Sequence, residues 1–297
     1  MVKYTIGNEG GLFLKFIFRL IKTLITIILL ICIIAGFTAG YAFFIEPNQL
    51  KTETVSINSE NIGEDVKIAV FADTHFGAGY TLKNFDKVIN AINDADVDFV
   101  LFAGDLIDNF NAYQEDTSEI SQKLDTIKAK HGKYAVFGNH DYGGGAQNYY
   151  KGIMENGGFK VLINESINFN TLNFRITGVD DFLIGYGNKK VVDNLPTDKF
   201  NFILCHEPDV FDYFNKEKIN AMVAGHSHGG QINIPILRDK ILTELGSKYV
   251  KGKYTDENAT LYVNPGVGTT KIKARLFAKP EVTFFEIYWW EEKLWLI

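Results

Sequence analysis

Cysteine is nearly absent: two residues in 297, Cys32 and Cys205, cannot build a disulfide framework. Cys32 also sits inside an apolar run, which separates it further from Cys205 as a partner. Positive charge is short as well, with 30 Lys+Arg against 36 Asp+Glu and a formal net charge of −6. Residues 1–22 hold four of the bases and one acid, so the remainder carries about −9. So acidic a chain is a poor clamp for polyanions, which disfavours broad nucleic-acid binding. Some of that negative charge is expected to be neutralised by bound cations. The chain has no internal repeat and no low-complexity tract.

Charge is missing altogether from residues 23–45, a run long enough to cross a bilayer as a helix. Lys15, Arg19 and Lys22 precede the run, and Glu46 and Pro47 follow it. The positive-inside rule then puts residues 1–22 in the cytoplasm and the rest outside the membrane. A cleaved signal peptide is the rival, since Thr38-Ala39-Gly40 offers small residues near the end of the run. The run nevertheless exceeds the usual ~7–15 residues of a signal-peptide core and lacks an Ala-x-Ala site. The expectation is a single-pass anchor over 23–45, a linker over 46–64 and one domain over 65–297.

What is present is strand–helix alternation. Residues 66–72 and 99–102 are apolar strands, and 82–95 repeats Leu82, Phe85, Val88-Ile89 and Ile92 at helical spacing. A helix over about 117–130, a strand over 134–137 and a short helix near 147–156 continue the parallel βαβ pattern. Beyond Gly158 short strands dominate, at 175–178, 202–204, 221–224, 261–263 and 282–288, with a helix near 209–217. From Gln231 onward the pattern reads mostly as strand. This is an α/β chain, a four-layer α/β/β/α sandwich behind an N-terminal transmembrane helix.

Each early strand is followed by polar residues: Asp73-Thr74-His75, Gly104-Asp105-Leu106-Ile107-Asp108 and Gly138-Asn139-His140-Asp141. Later strands end in Cys205-His206-Glu207 and Gly225-His226-Ser227-His228. Five of the six histidines fall in these pieces, and only His131 lies outside. Carboxylates just past strand ends sit where open α/β sheets collect ligands. Asp105, with two oxygens, is suited to bridge two cations about 3.5–4 Å apart. Taken singly, an Asp-x-His or a Gly-Asp is as readily a turn, and His206 alone a satisfied polar residue. Together they make a nitrogen/oxygen donor set suited to manganese, iron or zinc.

In this order the motifs resemble those of the calcineurin-like metallophosphoesterase superfamily. Gly225-His226-Ser227-His228-Gly229-Gly230-Gln231 is similar to its membrane-associated, bacterial phosphodiesterase-like branch. The resemblance covers about residues 66–290. It implies that Asp73, His75, Asp105 and His228 hold one divalent cation, and that Asp105, Asn139, His206 and His226 hold the second. It implies a water or hydroxide between them as nucleophile, His140 as the catalytic histidine, and Asp108 as the acid orienting its imidazole. Asp141 either supports the third turn or caps the segment after it.

Protein phosphatases of the superfamily continue the second motif with an arginine that clamps phosphate. Asn109 stands there instead, which favours diesters or pyrophosphates over phosphoprotein monoesters. Asn264-Pro265-Gly266 also departs from the Ser-Arg-Gly-like turn expected of the branch. The anchor alone suggests a lipid-linked or envelope-derived phosphoester substrate. The alternatives are a phosphomonoesterase and a metal-binding scaffold without turnover. Gly143-Gly144-Gly145 is expected as a turn, and Tyr142, Tyr149 and Tyr150 as packing rather than an entrance. The aromatic end, from Phe284 through Trp290 to Trp295, is expected as a core-facing strand rather than a rest against lipid headgroups.

Overall fold

The computed structural model describes residues 9–240 and 242–289; Trp290 and Trp295 lie outside the described residues. Helix α1 (Glu9–Gly40) opens the described chain and runs on through turns at Tyr41–Ile45 and Glu46–Asn48 into β1 (Lys51–Ser59). Then come β2 (Val66–Phe71), α2 (Leu82–Asn93), β3 (Phe99–Phe102), α3 (Thr117–Asp125), β4 (Lys133–Ala135), the single turn α4 (Asn139–Tyr142), α5 (Tyr150–Asn156) and β5 (Phe159–Val161). The second half adds β6 (Glu165–Phe169), β7 (Phe174–Gly178), α6 (Lys190–Asp193), β8 (Phe200–Leu204), β9 (Ala221–Ala224), α7 (Pro235–Arg238), β10 (Gly252–Asp256), β11 (Ala259–Val263) and β12 (Glu281–Trp289).

Two six-stranded sheets result, ordered β1-β12-β2-β3-β4-β5 and β10-β11-β9-β8-β7-β6. Strands β2 to β5 run parallel, as do β7, β8, β9 and β11. The run at β3 shows why the sheet is sandwiched. Phe99 and Leu101 pack with Phe174, Phe202 and Leu204 of the other sheet, while Val100 and Phe102 pack with Phe85, Ile120 and Met154 of the helices. A strand covered on both faces must be apolar at every position. Helix α2 begins at a Thr81–Asn84 capping box and turns Phe85, Val88, Ile89 and Ile92 inward. Behind the second sheet, Met222 and Leu261 meet Val192, Val210 and Phe211 from short helical turns.

Several sequence expectations need correction. The linker expected over 46–64 contains β1, which pairs parallel with β12 and so belongs to the domain. Its alternation of polar and apolar residues is weak because only Val55 is buried, as befits an edge strand. The helix near 209–217 is two 3-10 turns, Pro208–Tyr213 and Lys216–Lys218, and α3 stops at Asp125. The described residues from Gln231 to Val250 form irregular loops and the short α7 rather than strand. The terminal strand β12 buries Phe285 and Ile287 in the core.

Every residue of α1 from 11 to 39 is exposed to whatever surrounds the protein. The helix is long and apolar enough to cross a membrane, a property it shares with signal sequences.

Candidate metal centre

Parallel strands deliver their C-terminal ends to one edge, and main-chain bonds lock those ends together. Asp73 N–H donates to Gly104 O at 2.9 Å, and His75 N–H to Asp105 O at 3.2 Å. His226 N–H donates to the Asp73 carboxylate at 3.1 Å. The third motif is tied to the second by Asp141, whose fully buried carboxylate accepts N–H groups from Gly138, Asp105 and Leu106 at 2.8–2.9 Å. Asp141 therefore supports the turns. Gly104, at φ +92°, permits the close approach, since a Cβ there would lie 2.7 Å from Gly138 N and 2.8 Å from His206 Nδ1.

Two groups of candidate ligands come together at this edge, with a third overlapping both. Atoms of Asp73, His75 and His228 lie within 4.8 Å of one another, as do atoms of Asp105, His206 and His226 and, across the two, those of His75, Asp105 and His140. Asp105 Oδ2 stands between the groups, 3.4 Å from His75 Nε2 and 3.2 Å from His206 Nε2. One oxygen faces both groups, rather than one oxygen each, because Oδ1 accepts the His140 N–H at 2.8 Å. Asn139 Oδ1 joins the second group 3.3 Å from His206 Nε2.

The ring nitrogens test whether this set suits cations. His206 donates Nδ1–H to Ala103 O at 2.6 Å, and His226 donates Nε2–H to Glu244 O at 2.8 Å. Those bonds fix the tautomers, so His206 Nε2 and His226 Nδ1 face each other at 3.1 Å with a carboxylate and an amide oxygen beside them. Four acceptors so close need a positive charge among them. Nδ1 of His228 is buried without a hydrogen-bond partner, and the buried ring of His75 faces only carboxylates, Asp108 at Nδ1 and Asp105 at Nε2. Oxygen and imidazole without thiolate is the chemistry of manganese, iron and zinc sites. The residues fit.

The electrostatics agree. Burial and the charge of Asp105 push Asp73 up to about 6. Burial would raise Asp105 too, but the imidazoles of His206, His140 and His75 outweigh it and hold its carboxyl well below the usual range. Burial and His206 hold His226 down to about 4, and burial and His75 depress His228, so both rings are neutral at pH 7, the form that could bind a cation. Burial also opposes charge on His206, yet Asp105 and Asp73 raise it well above the ordinary histidine value. In the absence of a cation a proton takes that position.

His140 lines a cavity of about 340 Å³ together with Asp105, Asn139, His226, His228, Gln231, Thr270 and Lys271. Its expected partner, the Asp108 carboxylate, is 3.8 Å away; Nδ1–H donates instead to Asp108 O at 2.5 Å. The carboxylate is drawn off by Thr270 Oγ1, 2.9 Å away, and by His75 Nδ1, 3.2 Å away. Burial opposes the charge on His140, but Asp105 and the Asp108 carbonyl raise it above the ordinary value.

Thr270 and Gln231, which no role was expected to fall on, are braced together: Gln231 Nε2 donates to Thr270 O at 3.0 Å. The signal for Thr270 was another strand-then-glycine junction, β11 followed by Asn264-Pro265-Gly266. Gly266 lies against Asp73 in the way Gly104 lies against His206. The triple glycine is a turn packed on Asn109 and Asn111. Tyr142, Tyr149 and Tyr150 do not line the cavity; Tyr150 is buried with its hydroxyl on Val136 O.

A family model described as calcineurin-like phosphoesterase matches residues 66–230, more than half the chain. The chain belongs to that family. It is a phosphoesterase by family, a hydrolase of ester bonds. Uncharacterized metallophosphoesterase YkuE of Bacillus subtilis (strain 168) is 34% identical over 263 residues, 85% of this chain and 91% of its own length. Phosphodiesterase YaeI of Escherichia coli (strain K12) is 28% identical over 261 residues, 84% of this chain and 92% of its own. Uncharacterized metallophosphoesterase Cj0846 of Campylobacter jejuni is 27% identical over 248 residues, 81% of this chain and 64% of its own length. The candidate ligand groups described above lie within the matched span, whereas Gln231, the last residue of the Gly225–Gln231 run, and the Asn264-Pro265-Gly266 turn lie beyond it.

Proposed function

We propose that this chain is a two-cation phosphodiesterase whose catalytic domain, from β1 onward, works outside a membrane crossed by α1. The observation that carries the reading is the single oxygen, Asp105 Oδ2, facing both ligand groups. Asp73, His75, Asp105 and His228 would hold one cation; Asp105, Asn139, His206 and His226 the other, each manganese, iron or zinc. Such ions lower the pKa of a water and offset charge on phosphoryl oxygens. The chain does the rest. His206 and His226, fixed through Ala103 O and Glu244 O, present one nitrogen each in a set direction. His140, held cationic and anchored through Nδ1, leaves Nε2 to bind the phosphoryl group and protonate the leaving oxygen. Asp108 positions His140 through its carbonyl and His75 through its carboxylate.

Asn109 in place of a clamping arginine and the relative named phosphodiesterase YaeI both favour diesters. Lys15, Arg19 and Lys22 ahead of the uncharged run favour an anchor with the domain on the far side. The test is hydrolysis of bis-p-nitrophenyl phosphate against p-nitrophenyl phosphate by the full chain in detergent, with manganese, iron or zinc supplied. Faster turnover of the diester is expected. Preference for the monoester would make the chain a phosphomonoesterase, and metal binding without turnover of either would leave a scaffold.

A further inference from the structure

The end of α1 is fastened to the loops that wall the catalytic cavity. Arg275 N–H donates to Ala42 O at 2.9 Å, and Ala278 N–H donates to the buried Glu46 carboxylate at 2.7 Å. Ala42 is buried against Ala274 and Leu276, with Ile232 and Ile234 packed beside them. Asn233 N–H bonds Leu276 O at 2.8 Å and Leu276 N–H bonds Gln231 O at 2.9 Å, which makes a short ribbon of the two loops. Along such a ribbon neighbouring side chains face opposite ways. Gln231 accordingly lines the catalytic cavity, whereas its neighbour Ile232 lines a second, apolar groove of about 440 Å³ together with Ala274 and Leu276.

The far wall of that groove is α1 itself, at Ile31, Ala35, Thr38 and Ala39. These residues belong to the uncharged run. About 20 residues cross the hydrocarbon layer, so a span counted from Lys22 reaches Ala42 and sets the groove at hydrocarbon depth. Above it the surface changes. Residues 238–279 put eight Lys or Arg on the surface, a ninth, Arg275, being buried, against four Asp or Glu in an otherwise acidic chain. Exposed Lys271, Lys273 and Lys279 alternate there with Ile272 and Phe277, which are 41% and 64% exposed. Bases interleaved with apolar side chains suit the anionic headgroup layer.

We infer that the groove holds an alkyl chain of a membrane lipid whose phosphodiester enters the catalytic cavity across the ribbon, so that the substrate class is an amphiphilic phosphodiester taken from the bilayer. The inference rests on the phosphodiesterase reading above. It commits the groove to a lipid tail because α1 places it in the hydrocarbon layer, and because one ribbon separates it from the cavity that would take the head.

The test compares p-nitrophenyl hexadecyl phosphate with p-nitrophenyl methyl phosphate, using the full chain in phosphatidylcholine vesicles containing a minority of phosphatidylglycerol. Ala35→Trp and Thr38→Phe fill the groove from exposed positions on α1; Ile33→Trp, exposed and outside the groove wall, is the control. The wild type should prefer the hexadecyl ester. Each groove variant should lose about tenfold or more on that ester, the equivalent of a few excluded methylenes, and keep its rate on the methyl ester. The control should keep both rates. An unchanged hexadecyl preference in both groove variants, an equal loss in the control, or no preference in the wild type overturns the inference. Hydrolysis of neither ester by the wild type overturns the phosphodiesterase reading on which it rests.

Discussion

Protons and cations compete for the same atoms in this site, and the competition has a calculable pH dependence. Without metal, Asp73 keeps a proton up to about 6 and Asp141 up to about 7, in each case because burial penalises the ionised carboxyl and Asp105 repels it. His206 keeps its proton well above the ordinary histidine range because Asp105 and Asp73 outweigh its burial. A carboxyl held above its unfolded value retains its proton longer in the folded state. The cation-free protein therefore loses stability from Asp73 and Asp141 as pH rises from about 4 to about 6–7. His206 extends that loss to higher pH. His226, held down to about 4 by burial and His206, works in the opposite direction between about 4 and about 6.5.

Cations require the deprotonated ligands, so they must displace the protons on Asp73 and His206. At pH 5, about one unit below Asp73, the displacement costs about 1.4 kcal/mol, a factor of about ten in affinity. At pH 8 that cost is gone and only His206 still gives up a proton. The stabilisation by manganese, measured as the Tm difference between loaded and EDTA-treated full chain in detergent, should grow steadily from pH 5 to pH 8. Titration calorimetry in buffers of different ionisation enthalpy should show proton release that is larger at pH 5.5 than at pH 8. Equal Tm increments at both ends, or binding without proton release, would refute the assignment of these residues as ligands.

Asp105→Asn should abolish hydrolysis while the far-ultraviolet circular dichroism of the EDTA-treated protein is retained; its Tm should fall, since the amide loses the charge that pairs with His206 and faces both groups. His140→Ala should keep its metal content and lose roughly 10²–10⁴ in kcat, which metal analysis beside steady-state kinetics would separate. Asp141→Asn turns one acceptor of three N–H groups into a donor. It should cost about 1–3 kcal/mol of stability by denaturant titration. Metal should bind about 10–100-fold more weakly to it.

The fold and the site were legible to different depths. Strands β2, β3, β8 and β9 show as apolar runs because both their faces are covered, and their polar tails mark where the loops meet. The edge strand β1 was read as linker because only Val55 among its nine residues is buried, which leaves no contrast for periodicity to show. The role of Asp108 was legible as proximity to His140 but not as geometry: no spacing rule says that Thr270, 162 residues away, takes the carboxylate and leaves the carbonyl. Glu244 O and Ala103 O, which set two imidazole tautomers, are main-chain atoms and carry no residue signal.

The turns themselves say how much of the site the chain builds alone. Asp73, His75, Asp105, His226 and His228 all have positive φ, between 43° and 68°, where a Cβ crowds the backbone. At roughly 1–2 kcal/mol each, five such residues cost an amount comparable with the stability of a whole domain. What offsets it is the cross-bracing of one motif by the next: Asp73 to Gly104, His226 to Asp73, and three N–H groups to Asp141. These bonds need no cation. Bound ions would then relieve the packing of acceptors around Asp105 Oδ2 rather than shape the loops. Chelation should accordingly lower Tm while leaving the far-ultraviolet circular dichroism of the full chain unchanged at room temperature. Loss of secondary structure on chelation would mean that the ions, and not the braces, hold the turns in place.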